Sequence, residues 1–286
     1  MTLFVALALL MPAGAFAMPS ALAKTSAAAD ADASTIRVML STDNTVSVLP
    51  FSVSGVYSIV ERPDLFRLPE GKYTVTNAGG KLTLTNTDTK AVITADLGTI
   101  TIKEHVNEGG TNLITLVAKG SSKRYPGSMK FWPDSTHVDA VNHVYLERYL
   151  YGVVANEMGS SFPLEALKAQ TVAARCYALK ALEGTRGTKS DITDYGSTQA
   201  YSGYTTNAKI IQAVDETSKQ VLTYGGSVIS AYYAASNGGQ TDRTENVWSA
   251  ALGYFKIRDD PYDLVKGPKE TVYFPVGTTS DKPSDM

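Results

Sequence analysis

Cysteine is almost missing from this chain: there is one, Cys176, in 286 residues, so no disulfide can close within it. Histidine is nearly as scarce, with three, and a single Cys and three His are too few soft ligands to suggest a zinc site. His105, His137 and His143 all lie far upstream of Ser236, the serine of a glycine-containing loop, and no Ser-His-Asp triad is evident. An excess of one charge is missing too. Lys+Arg number 26 and Asp+Glu 28, a net charge of −2, with no basic stripe to displace counterions from phosphates, which removes nucleic acid as a partner. What remains is 43% hydrophobic and 19% charged, the composition of a globular protein long enough to bury a core.

Long apolar runs are missing except at the start. Thr2 to Met18 carry no charge, and Ala-x-Ala occurs at the end of this run, Ala15–Ala17, and just after it, Ala21–Ala23, the pattern of a secretory signal peptide over residues 1–23. Pro12 and Gly14 interrupt the run, and it is too short to span a bilayer of about 30 Å as a permanent anchor. The small, polar stretch 24–35 reads as a linker. Export to the cell exterior follows from this reading.

From Ile36 to Val144 the chain is rich in Thr, Val, Ser and Gly. Alternating segments around Tyr73–Val75 and Leu82–Leu84, separated by Asn77-Ala78-Gly79-Gly80, predict a hairpin. Leu113–Ala118 and Ser128–Trp132 read as a second strand pair around the turn at Pro126-Gly127. Residues 36–142 are thus a β-rich module, with Thr and Asn facing solvent and nothing that looks catalytic.

The texture changes after His143. Leu146, Leu150 and Val153 share one helical face, and this helix ends near Glu157. A second begins at Pro163, suited to a first turn, with Glu165 favourable to the dipole, and runs to Gly184 with alanines on every side, which predicts burial all round. A third contains Ile210, Ile211 and Val214. Gly225-Gly226 then marks a two-residue hairpin, whose second strand leads into Ser236–Thr241, SNGGQT. The fold class is α+β, a β-rich module followed over 143–286 by a mixed helical and antiparallel-sheet domain.

Glu157 stands at the helix end in an otherwise apolar stretch. A carboxyl in an apolar wall has its charged form disfavoured and can serve as a general acid near neutral pH. The alternative is a helix-end carboxylate held by a backbone N–H or by Arg175. Gln170 and Arg175 are polar on an alanine-crowded helix, about 140° apart around its axis, and each has a bond to a buried carbonyl as its alternative. The backbone N–H groups of SNGGQT suit an anion or a sugar, the alternative being a plain turn. Cys176, mid-helix among Ala and Tyr, reads as small-residue packing.

Five segments in order, Tyr149–Met158 (YLYGVVANEM), Phe162–Leu179 (FPLEALKAQTVAARCYAL), Ser197–Tyr204 (STQAYSGY), Ala231–Trp248 (AYYAASNGGQTDRTENVW) and Tyr254–Asp263 (YFKIRDDPYD), resemble the sporulation stage II protein D / LytB amidase-enhancer family over roughly His143 to Asp263. Several motifs in the right order are specific where any one is weak. The resemblance implies a cell-wall protein acting on peptidoglycan glycan strands. In the sporulation members it implies a lytic transglycosylase that cuts strands stripped of stem peptides; in the amidase-enhancer branch, a non-catalytic activator of an N-acetylmuramoyl-L-alanine amidase.

Carried over residue by residue, the family's catalytic Glu falls on Glu157. Its substrate-binding positions fall on Gln170, Arg175, Gln199, Tyr201, Ser236, Gly238, Gly239 and Thr241, and the acidic residue before the Trp on Glu245. Tyr201, Tyr232, Tyr233 and Trp248 are further candidates, to stack on sugars or to pack in the core. Some members bind zinc through Cys and His near the Gln-x-Tyr motif. Here that stretch reads DITDYGSTQAY, and no metal and no cofactor are expected. The chain also ends soon after Asp263, where fuller members continue with further strands.

Overall fold

The computed structural model describes residues 34–42, 46–108, 110–118, 120–185, 187–247 and 250–260. The signal peptide expected at 1–23 and linker residues 24–33 lie outside them. The chain divides into two compact units, Met1–Tyr232 and Tyr233–Met286.

The first unit is built on two six-stranded sheets. In one the order is β12 (Ile192–Thr193), β1 (Thr35–Leu40), β11 (His137–Tyr145), β10 (Ser128–Asp134), β7 (Ile100–Glu104) and β3 (Tyr57–Ile59). In the other it is β6 (Val92–Leu97), β5 (Lys81–Asn86), β4 (Gly71–Ala78), β2 (Val48–Ser54), β8 (Leu113–Ala118) and β9 (Ser121–Tyr125). All neighbours are antiparallel except β1 and β12. Period-two alternation puts Tyr73, Val75, Leu82 and Leu84 in the core and the intervening threonines outside it, as strand geometry requires. The sheets meet where Phe51 of β2 lies 5.1 Å from Phe131 of β10, ring centre to ring centre. Asn77, at the end of β4, crosses the gap as well. Its Nδ2 donates to the carbonyls of His137 at 2.7 Å and Ser135 at 3.3 Å.

The hairpin at Gly79-Gly80 is present as β4 and β5. The second expected strand pair is not. Leu113–Ala118 pairs with β9 and β2, while Ser128–Asp134 pairs with β11 and β7 in the other sheet. The missed strand is Ser121–Tyr125, SSKRY, which buries only Tyr125; an edge strand with one apolar residue carries no alternation to read. Pro126-Gly127 is therefore the crossing from one sheet to the other. Strand β11 also runs straight through the boundary expected between 142 and 143.

Helix α1 (Leu146–Glu157) follows β11 without a loop, and buries Leu146, Tyr149, Leu150, Val153 and Val154. Helix α2 (Leu164–Gly184) starts after Pro163, and α3 (Ala208–Glu216) is capped by Asn207, whose Oδ1 accepts the N–H groups of Lys209 and Ile210. The three pack on one another. Burial of α2 follows one side through Leu167, Thr171, Ala174 and Ala178, with Cys176 also buried, whereas Glu165, Ala169 and Glu183 are exposed. Its alanines therefore permit close packing without being enclosed on every side. Cys176 packs against Val221, Val228 and Ala231. The Gly225-Gly226 hairpin forms between β13 (Thr223–Tyr224) and β14 (Ser227–Val228), but its second strand stops at Val228 and does not reach Ser236. Among the described residues no helix is long and apolar enough to cross a membrane.

One ion pair ties the first strand to the chain after α2. Asp191 accepts from the Arg37 backbone N–H at 2.7 Å and from its guanidinium at 2.5 and 3.1 Å, and also from the Thr185 hydroxyl at 2.7 Å. Burial alone would push the Asp191 carboxyl up, but the hydrogen bonds from Arg37 and Thr185 outweigh it and hold the carboxyl below its ordinary range. A carboxyl with a lowered folded-state pKa adds stability that is complete above its unfolded value, about 4, and is lost as pH falls through the folded value. Thermal unfolding of wild type and Asp191→Asn should therefore differ most at neutral pH, and the gap should close below about pH 4.

In the second unit, α4 (Thr244–Val247) is a single turn. The SNGGQT loop is tied to the segment 256–260. Thr241 N–H donates to the Arg258 carbonyl at 2.9 Å, its hydroxyl donates to the Lys256 carbonyl at 2.8 Å, and Asp260 N–H donates to the Gly239 carbonyl at 2.7 Å.

Candidate active site around Glu157

Glu157 is the last residue of α1. The helix stops there because the N–H groups of Met158 and Gly159 both return to the Val154 carbonyl, and Gly159 supplies the left-handed residue common at helix ends. The carboxyl is half-buried. Ala200 N–H donates to Glu157 Oε1 at 2.7 Å, so of the two partners open to a helix-end carboxylate the backbone N–H is present.

Arg175 is elsewhere. It is fully buried in α2 and pairs in a two-pronged fashion with Glu147 at the start of α1, Nε to Oε1 at 2.7 Å and Nη2 to Oε2 at 2.8 Å. Its Nη1 donates to the Gln220 carbonyl at 3.1 Å. With no exposed surface, this guanidinium ties α1, α2 and the chain after α3 together rather than facing a ligand.

The donor on Glu157 belongs to a strap, residues 199–204, that threads between the helices and the sheets. Gln199 is fully buried. Its Oε1 accepts from the Tyr149 hydroxyl at 3.2 Å, and its Nε2 donates to the Ala174 carbonyl at 3.3 Å, so it bridges α1 and α2. Tyr201 is 1% exposed, sits 4.8 Å from the Tyr149 ring, and donates its hydroxyl to Asn142 Oδ1 at 3.0 Å. As placed here, Gln199 and Tyr201 anchor the strap from within, and Tyr201 presents no ring to a sugar. The residue between them carries the bond to Glu157.

The strap passes so close to α1 that only glycine fits beneath it. A Cβ on Gly152 would lie 2.3 Å from the Gly203 carbonyl oxygen and 2.6 Å from the Tyr201 ring. Gly203 in turn has φ +80° and packs against the Arg124 carbonyl. Gly152→Ala should therefore cost about 1–3 kcal/mol through overpacking, measurable by urea denaturation, and should shift the Ala200 N–H away from Glu157.

Gln170 differs from the other polar candidates. It is half-buried, and its Nε2 is shielded from solvent with no hydrogen-bond partner among the described residues, a costly state for a donor unless a ligand oxygen meets it. In the second unit the loop's donors are occupied from within: Ser236 Oγ accepts from Gly238 N–H at 3.2 Å, and Asn237 Oδ1 from Gly239 N–H at 2.9 Å. Together with the Thr241 bonds, these shape the loop. Glu245 sits 3.9 Å from the Arg243 guanidinium. Tyr232 is 40% exposed and meets Tyr177 edge-to-face, with 6.3 Å between centroids. Trp248 lies outside the described residues.

The one cluster of metal-ligand types among the described residues is Asp134, His137 and Asp139. Lys189 lies 3.4 Å from Asp134 and 3.1 Å from Asp139, so a cation there would have to displace an ammonium already in place. Sequence inspection did not single out Glu147, Tyr149, Asn142 or Ala200, the partners that hold the candidates. They stand 28 to 59 residues from those partners, and nothing local marks such contacts.

The carboxyl that closes α1 and the strap that holds it both lie within the part of the chain that matches a known family. A family model described as Stage II sporulation protein matches residues 134–224, and the chain carries a domain of that family over those residues. Its relatives include a protein named Amidase enhancer from Bacillus subtilis (strain 168), 37% identical over 217 residues, covering 74% of this chain and 28% of that protein. Two proteins named Stage II sporulation protein D are similar as well. The one from Bacillus amyloliquefaciens is 32% identical over 53% of this chain and 48% of its own length; the one from Bacillus subtilis (strain 168) is 30% identical over 58% and 55% respectively. The chain thus spans between about a quarter and just over half of these relatives' lengths.

Proposed function

We propose that this is an exported cell-wall protein that cuts peptide-free peptidoglycan glycan as a lytic transglycosylase, with Glu157 as both acid and base. The observation that carries the reading is the Glu157 carboxyl, at the position where the resemblance puts the family's catalytic Glu, held by the Ala200 N–H at 2.7 Å. Hydrolytic glycosidases ordinarily need two carboxyls, one of them to activate water or attack the sugar. A transglycosylase needs only one. Protonated Glu157 gives its proton to the glycosidic oxygen as the bond from muramic acid C1 to that oxygen breaks. The 6-hydroxyl oxygen of the same muramic acid then bonds to C1, and its proton returns to the Glu157 carboxylate. No water is consumed, and the acid is regenerated.

Gln170, half-buried on α2, is a further binding candidate by its place in the family resemblance. Arg175, Gln199 and Tyr201 act by positioning, and the SNGGQT loop and Glu245 are further binding candidates. Mass spectrometry of peptide-free strands incubated with the full chain tests the reaction type. Anhydro-ended fragments are expected; reducing-ended fragments would mean hydrolysis and overturn it. The name of the Bacillus subtilis relative favours a second reading, activation of an N-acetylmuramoyl-L-alanine amidase. On that reading, intact peptidoglycan plus amidase would lose stem peptides faster when this protein is added, and the protein alone would release nothing.

A further inference from the structure

One cavity among the described residues of the first unit lies apart from Glu157. It is a groove of about 670 Å³ walled by residues 104–107 and 110–112, the start of α1, the strap residues Gly203 and Tyr204 with Thr205 after them, and Ile211 of α3. We propose that it is a second, non-catalytic saccharide site, which holds a short stretch of glycan independently of the carboxyl. The proposal rests on the glycan reading above and extends it to side chains for which the resemblance implies no role.

The lining selects the ligand class. Its volume falls within the roughly 300–1,000 Å³ of small-ligand sites. Three tyrosines, Tyr145, Tyr151 and Tyr204, contribute to its wall, and two of them are held in place before any ligand arrives. The Tyr151 hydroxyl donates to Asp215 at 2.6 Å, and the Arg124 guanidinium sits 5.2 Å from the centre of the Tyr204 ring. Tyr145, 54% exposed, is open to solvent.

Charge argues against an anion. Arg148 is the only Lys or Arg in the lining, and it is paired with Glu104 at 2.7 Å, while the neighbouring Arg124 guanidinium is engaged by the Tyr204 ring, so the lining itself presents no unpaired cation to a phosphate. The remaining polar lining includes the Asn107 amide, the Thr205 hydroxyl and the imidazole of His105, whose Nε2 lies 2.7 Å from the Ser58 hydroxyl. Aromatic rings beside neutral hydrogen-bonding groups suit a sugar, which offers apolar C–H faces to a ring and hydroxyls to amides.

The groove and the carboxyl are close but separate. Tyr151 and Glu157 lie six residues apart on α1, about 9 Å along the axis and about 120° around it. The strap joins the two places, with Ala200 at the carboxyl and Gly203–Thr205 in the groove wall.

The test measures binding of peptide-free glycan strands and of chitotetraose to the full chain carrying Glu157→Gln, so that strands are not consumed. Adding Tyr145→Leu or Tyr204→Leu should weaken affinity about tenfold each, while Tyr145→Phe, which keeps the ring, should stay within about twofold. Thermal unfolding confirms that each variant is folded, and Tyr145, being largely exposed, is the one least coupled to the fold. Undiminished binding in folded Tyr145→Leu and Tyr204→Leu proteins would overturn the groove and leave the catalytic reading standing. If wild type neither binds nor cuts glycan, the catalytic reading falls and takes this site with it.

Discussion

Glu157→Gln should reduce release of anhydro-ended fragments by about a thousandfold, within the range that general acid–base catalysis supplies, while glycan affinity stays nearly unchanged. The amide keeps the shape of the carboxyl and an oxygen able to accept the Ala200 N–H, which now lies 2.7 Å from Oε1. It has no acidic proton to give to the leaving oxygen and cannot take one from the 6-hydroxyl, so both halves of the reaction fail together. Loss of turnover at constant affinity is the signature of an interaction made only in the transition state. Fragment release equal to wild type would remove Glu157 as the acid. A parallel loss of affinity would recast it as a binding residue.

Arg175→Met should destabilise the first unit by about 3 kcal/mol, because removing one partner of a buried pair strands the other. The guanidinium is fully buried and makes three hydrogen bonds, two to Glu147 and one to the Gln220 carbonyl. Glu147 retains some access to water, at 18% side-chain exposure, which keeps the expected loss at the lower end for buried pairs. Arg175→Lys retains the charge but not the fork, and should lose a smaller share, about 1–2 kcal/mol. Glu147→Gln combined with Arg175→Met should cost less than the sum of the two singly, since they break one interaction. Urea denaturation reads all four proteins. Wild-type stability with poor glycan affinity in Arg175→Met would return this residue to direct substrate contact, the role that the family resemblance implies for it.

The elements of the first unit differ in how openly the chain displays them. The β4–β5 hairpin was legible because Gly79-Gly80 lies between strictly alternating segments, and α1 because its apolar residues recur at helical spacing before Glu157. Strand β9 was not, since SSKRY has no alternation, and its place at a sheet edge is decided by pairing with Leu113–Ala118. The carboxylate was legible from its position at a helix end within a run of family motifs. The surroundings of that carboxylate were not.

Local sequence by itself determined the α+β class, the helix boundaries near Glu157, Pro163 and Gly184, and the set of residues to inspect, because periodicity, caps and turns act over a few neighbours. Only the tertiary structure decided what those residues do. It turns Arg175 to Glu147, 28 positions away, and Tyr201 to Asn142, 59 positions away, and it brings the Ala200 N–H to Glu157 across 43. Such pairings follow from which surfaces the helices and sheets bury against each other, and the burial of one side chain depends on all of them at once.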